Sequence, residues 1–518
     1  MTITSIAFAF FVLCCAVLYY ILPRSLQWVE LVAFSIAFYF FSATPYTIIY
    51  LIVTTTITYV STIYAARINK DEGHMKAATA ISMAAILVNI VLWFFLKARG
   101  LWSRPCNVFL EFLHLQRLAE ILNFDFIAAL GMGYYTLQAV SYILDCYWKT
   151  IKPQRNPLKL FLFIAYFPQL VSGPISRYAQ LQPLYERHSF CYENVAKGCQ
   201  RMLWGIAKKL VLAERMALLM QNLSAQAQTN GGLFFLLLVL AYPIQMYADF
   251  SGCMDIVLGV SQIFGIALPE NFKNPFFAKT TQEFWQRWHI TLGSWAKDYV
   301  LYPLLKSKWM IRLNKYARSK LGKKKGRLLV TSAGMIAPWF VIGVWHGEWK
   351  FVVGVSLWYW CISVLAEICA PLFQKIISTF KINTQSFGWK LFQMVRTYVI
   401  YCIGSVFFRA GVIQGFSCLK QAFLALVHVK TTLLQMFDLR GIFTEEFLRI
   451  DWTIIVVMIV ALFIVGVLRE KHGYAREWIN RRCLIVRWGI WFALIFLIVI
   501  YGKYGPGYNA ADFIYQGF

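Results

Sequence analysis

Of the seven histidines in this 518-residue chain, two stand in settings suited to chemistry. His346 lies in Gly343-Val-Trp345-His346-Gly347-Glu348, at the end of an apolar run that starts near Leu328. The glycine after it lets a helix stop and lets backbone approach a ligand closely. His289 lies in Glu283-Phe-Trp-Gln-Arg287-Trp288-His289-Ile-Thr291-Leu-Gly-Ser-Trp295, a segment too charged for an ordinary membrane span. Imidazole is the side chain whose unperturbed pKa allows proton exchange near neutrality, as a general base requires. His74, His114, His188, His428 and His472 fall in expected loops or loop edges, where solvation accounts for them. The chain has no G-x-S-x-G elbow, H-E-x-x-H pair or Walker loop. A metal held by His289 and His346 would need a third ligand that nothing obvious supplies. The two histidines therefore point to proton transfer without a metal.

Further polar side chains lie where apolar ones are expected. In Tyr242-Pro-Ile-Gln245-Met-Tyr-Ala-Asp249-Phe-Ser251-Gly252, the residues Tyr242, Gln245 and Asp249 recur at i, i+3 and i+7, on one face of a helix. Polar groups inside a membrane segment are costly and tend to face a cavity or one another. The stripe is thus expected to line an interior together with Ser251; a plain interhelical hydrogen-bond seam is the alternative. Trp288, Trp345, Glu283 and Arg287 join it as candidate substrate-positioning residues, on a tilted or re-entrant helix buried in protein.

The elements that must hold these residues follow from composition. Hydrophobic residues make up 59% of the chain and charged ones only 14%, against about 25% charged in soluble domains, so an ordinary soluble enzyme and a disordered chain are both excluded. Apolar runs of spanning length lie near 6–22, 28–42, 45–66, 78–96, 124–147, 202–220, 232–249, 328–345, 351–370, 391–408, 452–468 and 488–502. The runs at 160–175 and 253–268 are interrupted by Pro, Gly or acidic residues. The opening run lacks a basic flank and a small-residue cleavage site, and is expected to be the first membrane helix.

Fifty Lys and Arg against 24 Asp and Glu give a net charge of +26. The cations are confined between apolar runs, so membrane sidedness explains them and nucleic-acid binding does not. Lys306–Arg327, with ten Lys/Arg and no acidic residue, and Arg469–Arg487 read as cytoplasmic loops. Counting spans from them leaves the C-terminus outside the cell membrane. Lys97, Arg99, Arg104 and Arg117 fit that count less well.

At these residues the sequence resembles the membrane-bound O-acyltransferase (MBOAT) family, in its bacterial branch of alginate O-acetyltransferases and teichoic-acid D-alanyl transfer proteins. Leu130-Gly131-Met-Gly133-Tyr-Tyr-Thr136-Leu-Gln138-Ala-Val-Ser141-Tyr142 is similar to the branch's LGISFYTFQAISY, and Phe167-Pro168-Gln169-Leu-Val-Ser-Gly173-Pro174-Ile175 to its FPQLIAGPI. Asp249-Phe-Ser251-Gly252, Asn271-Phe-Lys-Asn-Pro275, Glu283 to Thr291, Trp345-His346-Gly347 and Val406-Phe-Phe-Arg409-Ala follow in the family's order. The resemblance implies an all-α polytopic membrane protein, a ring of roughly 11–13 tilted and re-entrant helices around a central funnel. N-terminal helices would occupy 1–123, the core 124–410 and C-terminal helices with an outer tail 411–518, within one integral-membrane domain. It further implies catalytic roles for His346 and His289. Three positions depart from the family pattern: Trp358 stands where relatives have a histidine, Gln286 replaces an arginine, and Glu348 adds a charge.

The implied activity moves an acetyl or similar small acyl group from a cytoplasmic thioester, either acetyl-CoA or an acyl carrier protein, onto a hydroxyl of an envelope polysaccharide or teichoic acid. No bound cofactor is implied; the thioester is a co-substrate. The implied partners are the lipid bilayer, the donor, the polymer acceptor and a separate exported acyltransferase. The ending Phe513-Ile514-Tyr515-Gln516-Gly517-Phe518 resembles an F-I-Y-x-x-F motif of this branch, with Tyr515 as an acyl relay. A transporter or export channel for polymer or lipid-linked sugar is the rival reading, and an assembly scaffold a third.

Overall fold

The computed structural model describes residues 1–68, 75–113, 129–428, 430, 432, 442–444 and 447–504. Among them the fold is all-α, and the single β-type contact is an isolated antiparallel bridge between Phe272 and Trp288. Eight helices are long and apolar enough to cross a membrane: Pro45–Ile68, Met75–Leu96, Leu233–Ile263, Lys308–Trp345, Lys350–Thr379, Phe387–Ala410, Arg449–His472 and Leu484–Tyr501. Three shorter apolar helices, Ile6–Ile21, Gln27–Ser42 and Val412–Val427, accompany them. The chain is a multi-pass membrane protein.

The expected dozen crossings differ from this set for local reasons. The run at 202–220 belongs to a longer helical stretch, Tyr192–Ile206, a widened turn at Ala207–Ala213, and Glu214–Asn230. It carries Lys208, Lys209, Glu214 and Arg215, all buried. The run at 124–147 becomes Met132–Tyr147, a helix enclosed over most of its length and only 16 residues long. The doubtful run at 253–268 is the second half of the 31-residue helix Leu233–Ile263, which continues through Pro243 and Asp249. The stretch at 160–175 breaks into the short helices Pro157–Ala165 and Phe167–Leu170.

Leu233–Ile263 is the most enclosed of the spanning helices, whereas Leu484–Tyr501 has no buried residue. Glycines spaced seven apart explain why backbone packs so closely on the former. A Cβ on Gly259 would lie 2.6 Å from the carbonyl oxygen of Gly198, and one on Gly205 would lie 2.6 Å from that of Gly252. Small residues of this kind let membrane helices approach where larger side chains would hold them apart.

The segment Lys306–Arg327 is not the expected loop. From Lys308 it is helical, and Gly322, at φ +76°, turns it back on itself. Gly326 then packs against Ala317, while Met310, Ala317 and Val330 form a small core inside the hairpin. The apolar residues at i, i+3 and i+7 (Met310, Leu313, Ala317) supply the helical period. All ten basic side chains remain exposed.

Candidate active site

The helix Lys308–Trp345 runs from the basic hairpin into the protein and stops at His346. The His346 N–H donates to the carbonyls of Ile342 and Gly343 at 3.3 and 3.2 Å, and Gly347, at φ +83°, turns the chain away. The preceding indole is fixed from the other side: Trp345 Nε1 donates to the Gly133 carbonyl at 2.9 Å. Phe351 and Phe408 flank the His346 ring, with centroids 4.7 and 5.8 Å away.

His289 is set by a different device. The segment 271–274 lies antiparallel to 287–290, with Lys273 N–H on the Arg287 carbonyl (2.9 Å) and Ile290 N–H on the Asn271 carbonyl (3.0 Å). Between these bonds His289 adopts φ +46° and ψ +49° and caps the short helix Ile290–Ala296. A non-glycine residue in this left-handed region costs on the order of 1–3 kcal/mol and persists only where its surroundings enforce it. Phe250 packs on the ring at 4.9 Å.

Both imidazoles line one cavity of about 650 Å³, together with Trp285, Trp288, Trp339, Tyr359, Tyr401 and Phe408. They are buried, with 5% and 7% of their surface exposed. The cavity follows Met335, Pro338 and Ile342 along one helix, so from Met335 to His346 it spans roughly 16 Å at the rise of an α-helix. On the facing helix it follows Tyr359, Ser363, Ala366, Glu367 and Ala370. Lys297, Ala366 and Glu367 in its lining are exposed, as are Thr280, Gln282, Gln286 and Gly293, and these residues form its open side. The arrangement is a chamber with two buried imidazoles at its depth and charged groups at its mouth.

The other sequence-predicted residues divide. Trp288 lines the cavity, and Trp345 lies against both histidines, 6.0 Å from His289 and 4.9 Å from His346. Tyr242, Gln245, Asp249 and Ser251 do not line it; from that stretch only Met246 does. Asp249 instead accepts from Lys209 at 2.6 Å, and Lys209 also pairs with Glu214 at 2.8 Å. Ser251 accepts from Lys208 at 2.8 Å, while Lys208 pairs with Asp255 at 2.7 Å. Arg409 covers the Tyr242 ring at 5.4 Å. These carboxylates answer buried cations, which low polarity makes obligatory.

Glu283 and Arg287 stand outside the lining as well. Glu283 accepts from the Lys279 N–H at 2.8 Å and pairs with Arg287 at 2.8 Å, and Arg287 reaches Glu470 at 2.6 Å. They clamp the helix Thr281–Arg287 to Arg449–His472. Of the departures from the family pattern, Gln286 lines the cavity, Trp358 donates to the Ile400 carbonyl at 3.4 Å, and Glu348 pairs with Lys350 at 3.1 Å. Tyr515, His74, His114 and Arg117 lie outside the described residues.

Several lining residues escaped the sequence reading. Tyr359, Ser363 and Glu367 recur at i, i+4 and i+8, a polar stripe in an otherwise apolar run that periodicity exposes. The buried partners Lys208 and Lys209 were signalled by Asp249 and Asp255 one helix later. Among the described residues, no group of three or more His, Cys, Asp or Glu is assembled to hold a metal ion.

Fold and site thus define a polytopic membrane protein with a histidine-bearing chamber. The chain belongs to the membrane-bound O-acyltransferase family, whose family model matches residues 35–419. It is similar to a probable alginate O-acetylase of Pseudomonas syringae pv. tomato, with 27% identity over 54% of this chain and 49% of that protein. It is also similar to a peptidoglycan O-acetyltransferase of Helicobacter pylori (27%, over 52% of each). A teichoic acid D-alanyltransferase of Bacillus subtilis is 28% identical over 55% of this chain and 69% of its own length. The matched region spans about half the length of the alginate and peptidoglycan relatives.

Proposed function

We propose that this protein is an O-acyltransferase that passes an acetyl or similar small acyl group from a cytoplasmic thioester, through the chamber, to a hydroxyl of an envelope polymer. The observation that carries the reading is that His289 and His346, 57 positions apart in the chain, line the same cavity. One imidazole takes the proton from the acceptor O–H as the oxygen attacks the thioester carbonyl. The other positions that carbonyl or its developing oxyanion. The new C–O bond forms, the C–S bond breaks, and the sulfur leaves as a thiol carrying the proton.

The donor approaches from the mouth at Lys297 and Glu367. That mouth lies toward the end of the Lys308–Trp345 helix that bears the basic hairpin, and the hairpin's ten exposed cations favour a phosphate-bearing CoA or an acidic carrier protein. The C-terminus lies outside the membrane, where Tyr515 carries the acyl group before the polymer or an exported partner acyltransferase receives it. Tyr515→Phe then halts acylation of the polymer.

The relatives named for alginate, peptidoglycan and teichoic acid support an envelope polymer as acceptor. His346→Ala is expected to abolish transfer of labelled acyl groups while the protein still inserts in the membrane. Unaltered transfer would replace this reading with the export channel.

A further inference from the structure

A second cavity, of about 40 Å³, shares no lining residue with the chamber. Its polar wall is made of Arg201, Lys208 and Arg469 together with Asp255 and Glu270, and its apolar wall of Leu462, Val465 and Gly466 on the helix Arg449–His472. Room of this size holds about three waters, or one tetrahedral oxyanion in their place. Arg469 lies in the last turn of that helix, and Leu462 lies two turns, roughly 10 Å, nearer its middle. The walls are therefore graded along the helix, with charge at its end, where the basic segment Arg469–Arg487 begins, and hydrocarbon further in. Asn271, Phe272 and Asn274 close a third side, so the cavity shares a wall with the segment that pairs with 287–290 and sets His289.

Neither charge nor hydrogen-bonding capacity balances within the polar wall. Three cations face two carboxylates. Arg201 donates from Nε to Asp255 at 2.9 Å and from both terminal nitrogens to Glu270 at 2.7 Å, which uses three of its five N–H groups. Lys208 gives two of its three to Ser251 at 2.8 Å and Asp255 at 2.7 Å. Arg469 approaches Glu270 only to 3.5 Å. The acids are more fully used: each oxygen of Asp255 and Glu270 already accepts from Arg201 or Lys208, and Glu270 Oε1 also accepts from the Tyr474 hydroxyl at 3.1 Å. Glu470, next to Arg469 in the chain, is turned to Arg287 and Asn274. Positive charge and N–H donors are thus in surplus beside hydrocarbon side chains that answer neither. Such a surplus is costly where water is scarce, and guanidinium and ammonium groups held together are the setting that binds oxyanions. The Lys208 side chain is 3% exposed and that of Arg469 21%, so an anion enters past Arg469.

We propose that this cavity is a phosphate-binding site, seating one phosphate mono- or diester group against Arg469, Arg201 and Lys208. Two sources present that group: the headgroup of an anionic phospholipid in the adjoining leaflet, and free inorganic phosphate. The lipid meets both walls at once. Its phosphodiester faces the cations, while its glycerol and first methylenes follow Val465 and Leu462 toward the middle of the helix. Basic pockets between spanning helices recognise headgroups by this combination.

Full-length protein, purified in detergent and stripped of lipid, is titrated separately with phosphatidylglycerol, with diacylglycerol, which lacks the phosphate, and with sodium phosphate against sodium chloride of equal ionic strength. Native mass spectrometry counts retained lipid, and thermal unfolding reads saturation for every probe. The expected result is one phosphatidylglycerol held per chain, with a saturable rise in unfolding temperature that diacylglycerol does not give. Arg469→Gln removes the cation at the entrance and should weaken binding on the order of tenfold to a hundredfold. Val465→Trp, which fills the cavity from its apolar wall, should weaken it as well. A saturable rise with sodium phosphate beyond the chloride control, lost in R469Q, supports the site with the free anion as its occupant. Wild-type protein that responds to neither phosphatidylglycerol nor phosphate beyond these controls overturns the proposal, and that measurement needs no variant to fold. Equal retention of phosphatidylglycerol and diacylglycerol, or equal binding by the wild type, R469Q and V465W, overturns it too.

Discussion

The ring of His289 lies 6.0 Å from that of Trp345, centroid to centroid, at an interplanar angle of 75°. The residue next to Trp345 is His346, whose ring is 4.9 Å from the same indole. One tryptophan therefore spaces both imidazoles, and its own orientation depends on the Nε1 bond to the Gly133 carbonyl.

Trp345→Phe keeps an aromatic ring in place but removes the indole donor to the Gly133 carbonyl, which keeps its place in the helix Met132–Tyr147. The expected cost is about 0.5–1.5 kcal/mol of stability, read by thermal unfolding in detergent. Acyl transfer should fall further than stability does, because the two histidines lose their common spacer. Equal rates in the variant and the wild type would show that the indole only fills space.

Lys209 is 2% exposed and bridges two buried carboxylates, Asp249 and Glu214. Lys209→Met leaves both acids without their cation, and breaking a buried pair in this way costs roughly 3–5 kcal/mol. Folded protein recovered from membranes should drop sharply. The double change Lys209→Met with Asp249→Leu should recover part of the loss, since it removes one uncompensated acid as well.

Ser363 faces the chamber between its mouth and Tyr359. Ser363→Trp should fill the passage without touching either histidine. Acyl transfer from a thioester should be lost while unfolding temperature and both imidazoles are unchanged. Retained transfer would mean that the donor reaches the histidines by another route.

Glu270 sits in the loop after Leu233–Ile263, where burial alone would raise its carboxyl pKa. The Arg201 guanidinium, bonded to both its oxygens at 2.7 Å, outweighs burial and holds it below the ordinary value. A carboxyl depressed on folding contributes stability that is complete above its unfolded pKa, near 4.5, and is lost as pH falls through the folded value. Unfolding temperature should therefore decline below about pH 4.5, and Glu270→Gln should flatten part of that decline. An identical slope in the variant would place the acid sensitivity elsewhere.

The sequence determined the class of the protein, because bulk composition and long apolar runs leave a membrane as the only solvent that suits them. It also marked His346, an imidazole between tryptophan and glycine at the end of an apolar run, and His289, an imidazole beside tryptophan in a segment too charged for an ordinary span. What it could not decide is direction. Tyr242, Gln245 and Asp249 share a helical face as their spacing requires, yet that face meets Lys209 and Arg409 and not the chamber, because a helix's period fixes which residues align and not which neighbour they meet. The same limit hid Asn271: its bonds to Thr291 and His289 span 20 and 18 positions of chain, and no local pattern encodes a contact made when two separate segments pair. Only the packed structure turned the histidine rings toward one cavity.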